Sequence, residues 1–595
     1  MEDGAAVTTA SQREDDHFSF PAYQAPARFT DLTRYLCGAA YFDGSFADTV
    51  IREVVEDERR AVALSFGFDL NPVVRHCFRA RRLSLIREAV LFGLVLVGLV
   101  VSPPATLAWL LVGATVLAWR TPEFRRLSLA VRVGIVAVLG AVVLCCLGGA
   151  LAPVLNAVGA ALRPAESGYS DAGTGRDVLG SLPNSSDAAL VSFLWAMTVA
   201  PVVLAVATLS VLVLFRHRGY RIVTEELARG AEPSLPPLPN PRVARRVAAV
   251  SRAQYGDITV QEKEAFLGCG KPEHGWSYAI PLRRVRRPGD PAGATGTDPA
   301  LDQESMGPDL TGYVRAAVRR MREDPLPKGV RVPGLSLVPH IVADGVRRQG
   351  DPLLDPETGI PRSKASAAVV EAVIRHPQGG LRYYDRIVIS GAGKPIHTPD
   401  GREVLPEQSL GIDISAFFHV AVEGGMLYVE FVSAVLPPVR PRYALADLVR
   451  PRTVTRRALR EALPELFTAS LLSGWRLARG LWRAGTMSWR MNEAAEASTE
   501  FRSHNYGARV SVRELVAEPV SVKHLQLLDE WKYTKLLERA VLEAVAAFLT
   551  ERGLEAADLV RRAEQVQNIF GNVTTVFGGQ QAFGSSNVSF HQQNT

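Results

Sequence analysis

Three stretches of the 595-residue chain carry no charged side chain: 89–119, 133–162 and 188–215. A hydrocarbon core about 30 Å thick takes about 20 apolar helical residues to cross, so each stretch is long enough to span a bilayer. The first contains "VVSPPATL", and a single helix through it would place Pro103 and Pro104 mid-span, where each removes a backbone donor. A turn at the prolines avoids this and predicts a short helical hairpin with arms at 85–102 and 105–121. Leu83, Leu85 and Ile86 lengthen the first arm, and Arg120 ends the second with its charge reaching the interface. With helices at 133–155 and 188–215, the pattern predicts a four-helix transmembrane domain over 83–216 and an extracytoplasmic loop at 163–187.

Outside this block the periodicity changes. Residues 1–28 are polar and read as disordered. In 29–82, Leu32, Tyr35, Leu36 and Ala39, then Phe46, Val50, Ile51, Val54 and Val55, recur at helical spacing and predict a small cytoplasmic helical region. A Pro-rich linker follows at 229–242, and a second break at 286–309 reads as a loop or disordered insertion. Between and beyond them, "DITV", "WSYAIPL" and "LRYYDRIVISG" read as strands, and "DISAFFHVAVEGGMLYVEFVSAVLPPV" as a hairpin turning at Glu423-Gly424-Gly425. With helices at "TGYVRAAVRRMRED" and "SKASAAVVEAVIRH", 243–450 forms a cytoplasmic α+β domain. From 455 to 567 the chain is helical, most clearly in "HLQLLDEWKYTKLLERAVLEAVAAFLTERG". The expected fold class is therefore an integral membrane α-helical protein with four transmembrane helices, the first two a short hairpin, plus a cytoplasmic α+β domain and a C-terminal helical region.

Charge orients this arrangement. Arg75, Arg79, Arg81, Arg82 and Arg87 precede the first arm, Arg120, Arg125, Arg126 and Arg132 follow the second, and Arg216, Arg218 and Arg221 follow the last run. Loop 163–187 has two arginines against four acidic residues. Four crossings put every basic cluster inside, so the expected location is the plasma membrane, multi-pass, with both termini cytoplasmic. The acidic, polar start of the chain lacks the layout of a cleaved signal. On that topology "NVT" at Asn572 and "NVS" at Asn587 never meet the glycosylation machinery.

Composition narrows the function classes. The apolar runs contain no Asp, Glu, Lys, Arg or His, whereas ion and proton pathways display such groups, so transport is disfavoured. Only eight of 67 basic residues are lysine, an arginine-rich balance similar to that of high-GC actinobacterial proteomes. No basic stripe interleaves with aromatics in the manner single-stranded nucleic acid requires, save the Trp-Arg segment below, and nucleic acid is not an expected partner. Five cysteines include no CxxC pair, and no His/Cys metal spacing occurs, so neither a metal nor a cofactor is expected.

Three local patterns carry candidate chemistry. In "SGWRLARGLWRAGTMSWRM", Trp475-Arg476, Trp482-Arg483 and Trp489-Arg490 recur every seven residues, which on a helix aligns the tryptophans in one stripe and the arginines in the next. Such a helix lies on the inner leaflet with Trp at headgroup depth, or packs its Trp on the α+β domain with Arg at the solvent rim. Gly474, Gly480 and Gly485 weaken it as a helix. "FLGCGKPEHGW" places Cys269 near His274, the best candidates for a nucleophile and base, and reads equally as a turn. "ISGAGKP" misses the phosphate-loop pattern at Val388 and Pro395 and reads as a turn after a strand.

A fourth pattern is the tail, 568–595, a low-complexity Asn/Gly/Phe segment: after Glu564 there is no Asp, Glu, Lys, Arg or Pro. "FGNVT" and "FGSSNVS" form an imperfect repeat in which Asn572, Val573, Thr574, Val576, Phe577, Asn587, Val588 and Phe590 suit in-register stacking into ladders and dry zippers. The alternatives are a loose tail and a hairpin docked on its own domain.

Residues from about 30 to 567, with "TRYLCGAAYFDGSFADTVI", "NPVVRHCFRARR", "GWSYAIPL", "HVAVEGGMLYVEFVSAVLPPVRPRY", "NYGARVSVREL" and "LLDEWKYTKLLERAVLEAV", resemble an uncharacterised actinobacterial family of multi-pass membrane proteins. That resemblance carries over no catalytic residue. The tail resembles the short bacterial amyloid-signalling motifs akin to RIP homotypic interaction motifs, which sit at chain termini and link receptors to effectors. The expected function on the whole reading is a membrane-anchored signalling or scaffold protein, non-enzymatic and homo-oligomeric, whose α+β domain senses a partner and whose tail mediates homotypic assembly. Its expected partners are the bilayer and a receptor or effector protein with a matching tail. The alternatives are a membrane-disrupting effector acting through the Trp-Arg helix and a membrane-bound enzyme.

Overall fold

The computed structural model describes residues 26–561 apart from 141–198, 286–302, 323–331, 520–523, most of 127–139 and a few single or paired positions. The chain first forms α1 (Asp31–Phe42) and α2 (Gly44–Val50). Each begins on a residue whose side-chain oxygen replaces a missing helical acceptor: Thr30 accepts from Thr33 N, and Asp43 accepts from Ser45 N and Phe46 N. Asp69 caps α3 (Leu70–Val101), a helix of 32 residues, through Asn71 N at 3.0 Å. At Ser102 the backbone leaves the helical region, and α4 (Pro103–Arg120) starts on the two prolines, which fit a first turn because it needs no donors. Next come α5 (Ala200–Arg221) and α6 (Pro241–Ala253), the latter capped by Asn240.

Four transmembrane helices are not what the structure shows. Among the described residues two helical segments, Leu70–Val101 and Ala200–Glu226, are long and apolar enough to cross a membrane. The expected second arm, α4, is not one of them. Its 18 residues include two prolines, two tryptophans and an arginine, and its buried positions Ala105, Thr106, Trp109 and Gly113 serve helix packing. An apolar run alone does not separate a helix that faces lipid from one that faces its neighbours. The expected third helix at 133–155 lies outside the described residues save single positions, as do loop 163–187 and the start of the fourth at 188–198. The fold is a mixed six-stranded sheet set among helices.

Ten strands are described: β1 (Ile258–Gln261), β2 (Lys271–Pro281), β3 (Leu335–Asp344), β4 (Val346–Arg348), β5 (Leu381–Gly393), β6 (Ile396–His397), β7 (Glu403–Leu405), β8 (Gln408–Glu423), β9 (Met426–Leu436) and β10 (Ser503–Asn505). The main sheet runs β1-β3-β5-β8-β9-β2, with β1 parallel to β3 and every other pair antiparallel. The β8–β9 hairpin turns at Gly424 and Gly425, with φ of 57° and 74°, a left-handed pair that matches the twist of the strands and that glycine alone adopts without strain. "ISGAG", read as a turn, continues β5 as far as Gly393.

Alternation along the strands splits the sheet into two faces. Ile387, Ile389, Ala416, Phe418, Val429 and Phe431 point to one side, where α7 (Gln303–Arg320) and α12 (His524–Glu551) cover them. At the β1–β3 end α8 (Ala367–Arg375) completes that layer. The opposite face presents Val342, Tyr384, Phe417 and Ala434, covered by Phe66, Phe266 and Cys269. There Arg386, 1% exposed, lies with its guanidinium 3.4 Å from the centre of the Phe66 ring and donates to Ser415 Oγ from Nε (3.1 Å) and Nη2 (2.9 Å). This contact fastens the segment leading into α3 onto the sheet.

The remaining described helices of nine residues or more are α9 (Val454–Ala462), α10 (Leu466–Gly485) and α11 (Met487–Glu500). A second large core joins α1, α2, the start of α3 and α6 to Tyr443, Leu445, Ala458, Met487 and Met491. Residues hundreds of positions apart in sequence therefore share one interior.

Candidate functional site

The most distinctive surface is built by α3, α4, α5 and α10. At 1.5 Å per residue α3 is about 48 Å long, more than the hydrocarbon core requires. Its first part sits in the large helical core and its second part projects from it. Ile86, Val90, Leu96, Val97, Val100 and Val101 are exposed on α3, with Val100 84% exposed, as are Val202, Val203, Val206 and Leu214 on α5. The most apolar stretch of each helix is only 17% buried. A core helix of a water-soluble domain hides such a stretch, and monomers in water rarely show so large an apolar surface.

α10 fits into this bundle by means of glycines. A β-carbon at Gly113 of α4 would stand 2.6 Å from the Phe467 carbonyl oxygen, and Trp109 packs its ring 4.5 Å from that of Phe467. A β-carbon at Gly474 would stand 3.0 Å from the Phe92 ring, and one at Gly480 would stand 2.4 Å from Leu85 Cδ2. Of the three glycines read as weakening the helix, Gly474 and Gly480 are where α10 lies against α3, whereas Gly485 has open space around it. Leu91, Leu212, Ala462 and Ala469 pack between α3, α5, α9 and α10, and Thr208 Oγ1 lies 3.4 Å from Ser470 Oγ.

The Trp-Arg repeat divides between two sides. Trp475, Trp482 and Trp489 are all more than 60% exposed. Arg490 clamps Glu56 through Nε and Nη2 at 2.8 Å each, Arg483 pairs with Asp48, and Arg476 lies 3.9 Å from Glu88. The helix itself breaks at Thr486, between the second and third pairs. Other ion pairs gather at the same end of the bundle: Arg79 holds Glu226 at 2.5 Å, Arg216 holds Glu461 at 3.1 Å and Glu465 at 2.7 Å, and Tyr220 donates to Glu461. Apolar helices therefore rise from a ring of paired charges, with tryptophans beside it.

Cys269 and His274 are not brought together. Cys269 is fully buried beneath the sheet, and burial pushes its thiol up to about 11, so it stays protonated near neutral pH. His274 lies on β2, half exposed, with Nε2 3.4 Å from Glu538 Oε1 of α12. Cys269 instead neighbours Arg386, and buried His340 is pushed down to about 3, chiefly by burial and then by Arg386. On α12, Glu530 is pushed up to about 7 by burial and by Glu273 of β2. Among the described residues no group of three or more His, Cys, Asp or Glu is placed to hold a metal. Asn572, Val573, Thr574, Val576, Phe577, Asn587, Val588 and Phe590 lie outside the described residues. Sequence reasoning passed over β3 and buried Arg386, whose signal was an arginine at an inward position of the apolar alternation "YYDRIVI".

Comparison with protein families decides the kinship: an AbeC-like domain matches residues 275–585, just over half of the chain. The chain belongs to the AbeC-like domain family. No curated protein and no solved structure matches it. The AbeC-like domain takes in most of β2, all of β3 to β10, α7 to α12 and part of the tail, and it leaves out α1 to α6 and β1. So α10 belongs to the matched domain, whereas the two long apolar helices it touches precede it. The interface at Gly113, Gly474 and Gly480 joins the two.

Proposed function

We propose that this protein is a non-enzymatic, membrane-anchored scaffold of the plasma membrane, whose α3 and α5 enter the bilayer and whose AbeC-like domain binds a partner in the cytoplasm. The observation that carries this reading is the exposure of the apolar stretches of both helices. Supporting it, the bases of α3 and α5 lie side by side, tied by Arg79 and Glu226, so the flanking basic residues share one end of the bundle. Basic ends favour the cytoplasmic side. The tail, with its uncharged Asn, β-branched and aromatic residues, adds homotypic assembly, and membrane clustering would raise the local concentration that stacking needs.

The test is fractionation of the full chain. It is expected in the membrane pellet after alkaline extraction and in solution only after detergent; release by alkali alone defeats the anchor. For the tail, a peptide of residues 568–595 is expected to bind thioflavin and seed its own conversion, and a peptide that stays monomeric at high concentration defeats assembly. Against the reading of a membrane-disrupting effector stands the commitment of Arg476, Arg483 and Arg490 to carboxylates of the protein itself.

A further inference from the structure

The two edges of the sheet are treated differently. Beside β1, Ala508 N donates to Val260 O at 2.8 Å and Glu262 N donates to Ala508 O at 3.3 Å, so that edge is covered. At the other edge β2, eleven residues long, pairs with β9 on one side, and among the described residues nothing pairs with the other. Glu273, His274, Gly275, Ser277 and Ala279 are exposed along it. Its prolines, Pro272 and Pro281, stand near or at its ends, and no lysine interrupts the stretch between them. Such an edge is a row of unpaired donors and acceptors ready for another strand.

Two further observations say what covers it. Trp276 faces α12 from β2 with its indole N–H buried and no acceptor among the described residues, a cost that an added polar strand would remove. The chain also delivers its own tail to this place. After α12, Val285 N donates to Gly553 O and Glu555 N donates to Arg283 O, both at 2.9 Å, in an antiparallel bridge just beyond the end of β2. The described chain stops at Arg561, and the family match runs on to 585, so the tail is continuous with the same domain.

We propose that residues 570–577, "FGNVTTVF", of the same chain dock as a seventh strand along the free edge of β2. This rests on the reading of the tail as strand-forming and adds its regulation: a tail paired with β2 is withheld from stacking on other tails. The segment is uncharged, free of proline and rich in β-branched and aromatic residues, and its Asn and Thr oxygens offer the acceptor that Trp276 lacks. The eight residues 562–569 reach up to about 27 Å, enough to turn back along the strand.

The test is hydrogen exchange of the detergent-solubilised full chain against two variants, a deletion of 562–595 and Val576→Pro, whose missing donor breaks the added ladder. Amides of 273–281 are expected to be protected at every protein concentration and to exchange about tenfold faster or more in both variants, while β8 and β9 are unchanged. Equal exchange in the full chain and the deletion overturns the proposal, as does protection that appears only when protein concentration rises, which would mean a second copy supplies the strand. The peptide experiment separates the two readings. Assembly of the isolated tail with β2 unaffected by deletion sinks the docking alone, and loss of β2 protection with an inert peptide sinks the assembly alone.

Discussion

At the scale of single residues, burial decides which groups keep their charge. Glu530 shows it with a worked sign. Its carboxyl lies on α12 against β2, and burial first and Glu273 second raise it to about 7 from 4.5. The fold therefore favours the protonated form, and the stability this contributes is full below about pH 4.5 and is lost as pH rises through 7. Glu530→Gln is expected to flatten that loss and to raise the melting temperature at pH 8 by about 1–2 °C, with little effect at pH 4.5, read by thermal denaturation across pH. Arg490 gives the converse case. Its clamp on Glu56, a carboxylate 6% exposed, holds α11 to the N-terminal helices. Arg490→Ala leaves that carboxylate without its bidentate partner and is expected to cost about 1–3 kcal/mol in urea unfolding, with Arg490→Lys recovering only part because an ammonium lacks the fork.

At the scale of elements, close approach of backbones sets the bundle. Gly113 allows the Phe467 carbonyl to lie against α4, so Gly113→Val must push α10 away. The expected cost is at least about 1–3 kcal/mol, with faster trypsin cleavage after Arg479 and Arg483 as the readout. Gly480→Ala meets the end of a flexible Leu85 side chain instead, so it is expected to cost less in the same assay. The β8–β9 turn obeys a local rule, since two consecutive left-handed residues need glycine, and the hairpin was legible as "EGG" between apolar strands. β3 was not. Its "LSLVPHIVAD" carries Pro339 and His340 inside an apolar run, and what makes it a central strand is the pairing with β1 and β5 that no local pattern announces.

At the scale of the whole molecule, the apolar helices and the sheet domain are one assembly, because α9 and α10 leave the sheet domain and return to pack on α3, α4 and α5. Reporter fusions before α1 and after α12 are expected to report the same side of the membrane, since the bases of α3 and α5 share one core; opposite sides would break the anchor reading. The sequence by itself determined what local chemistry dictates: the charge-free runs, the proline turn, the strands with strict alternation, the seven-residue Trp-Arg repeat and the uncharged tail. It overstated the crossings, because hydrophobicity measures the wish to leave water and does not say whether lipid or protein receives the side chain. Only the tertiary structure decided that α4 packs against α10, that the three arginines turn to Asp48, Glu56 and Glu88 while the tryptophans stay outside, and that Cys269 and His274 part company. Those outcomes depend on contacts between residues hundreds of positions apart, and such contacts are fixed by packing the whole chain at once rather than by any window along it.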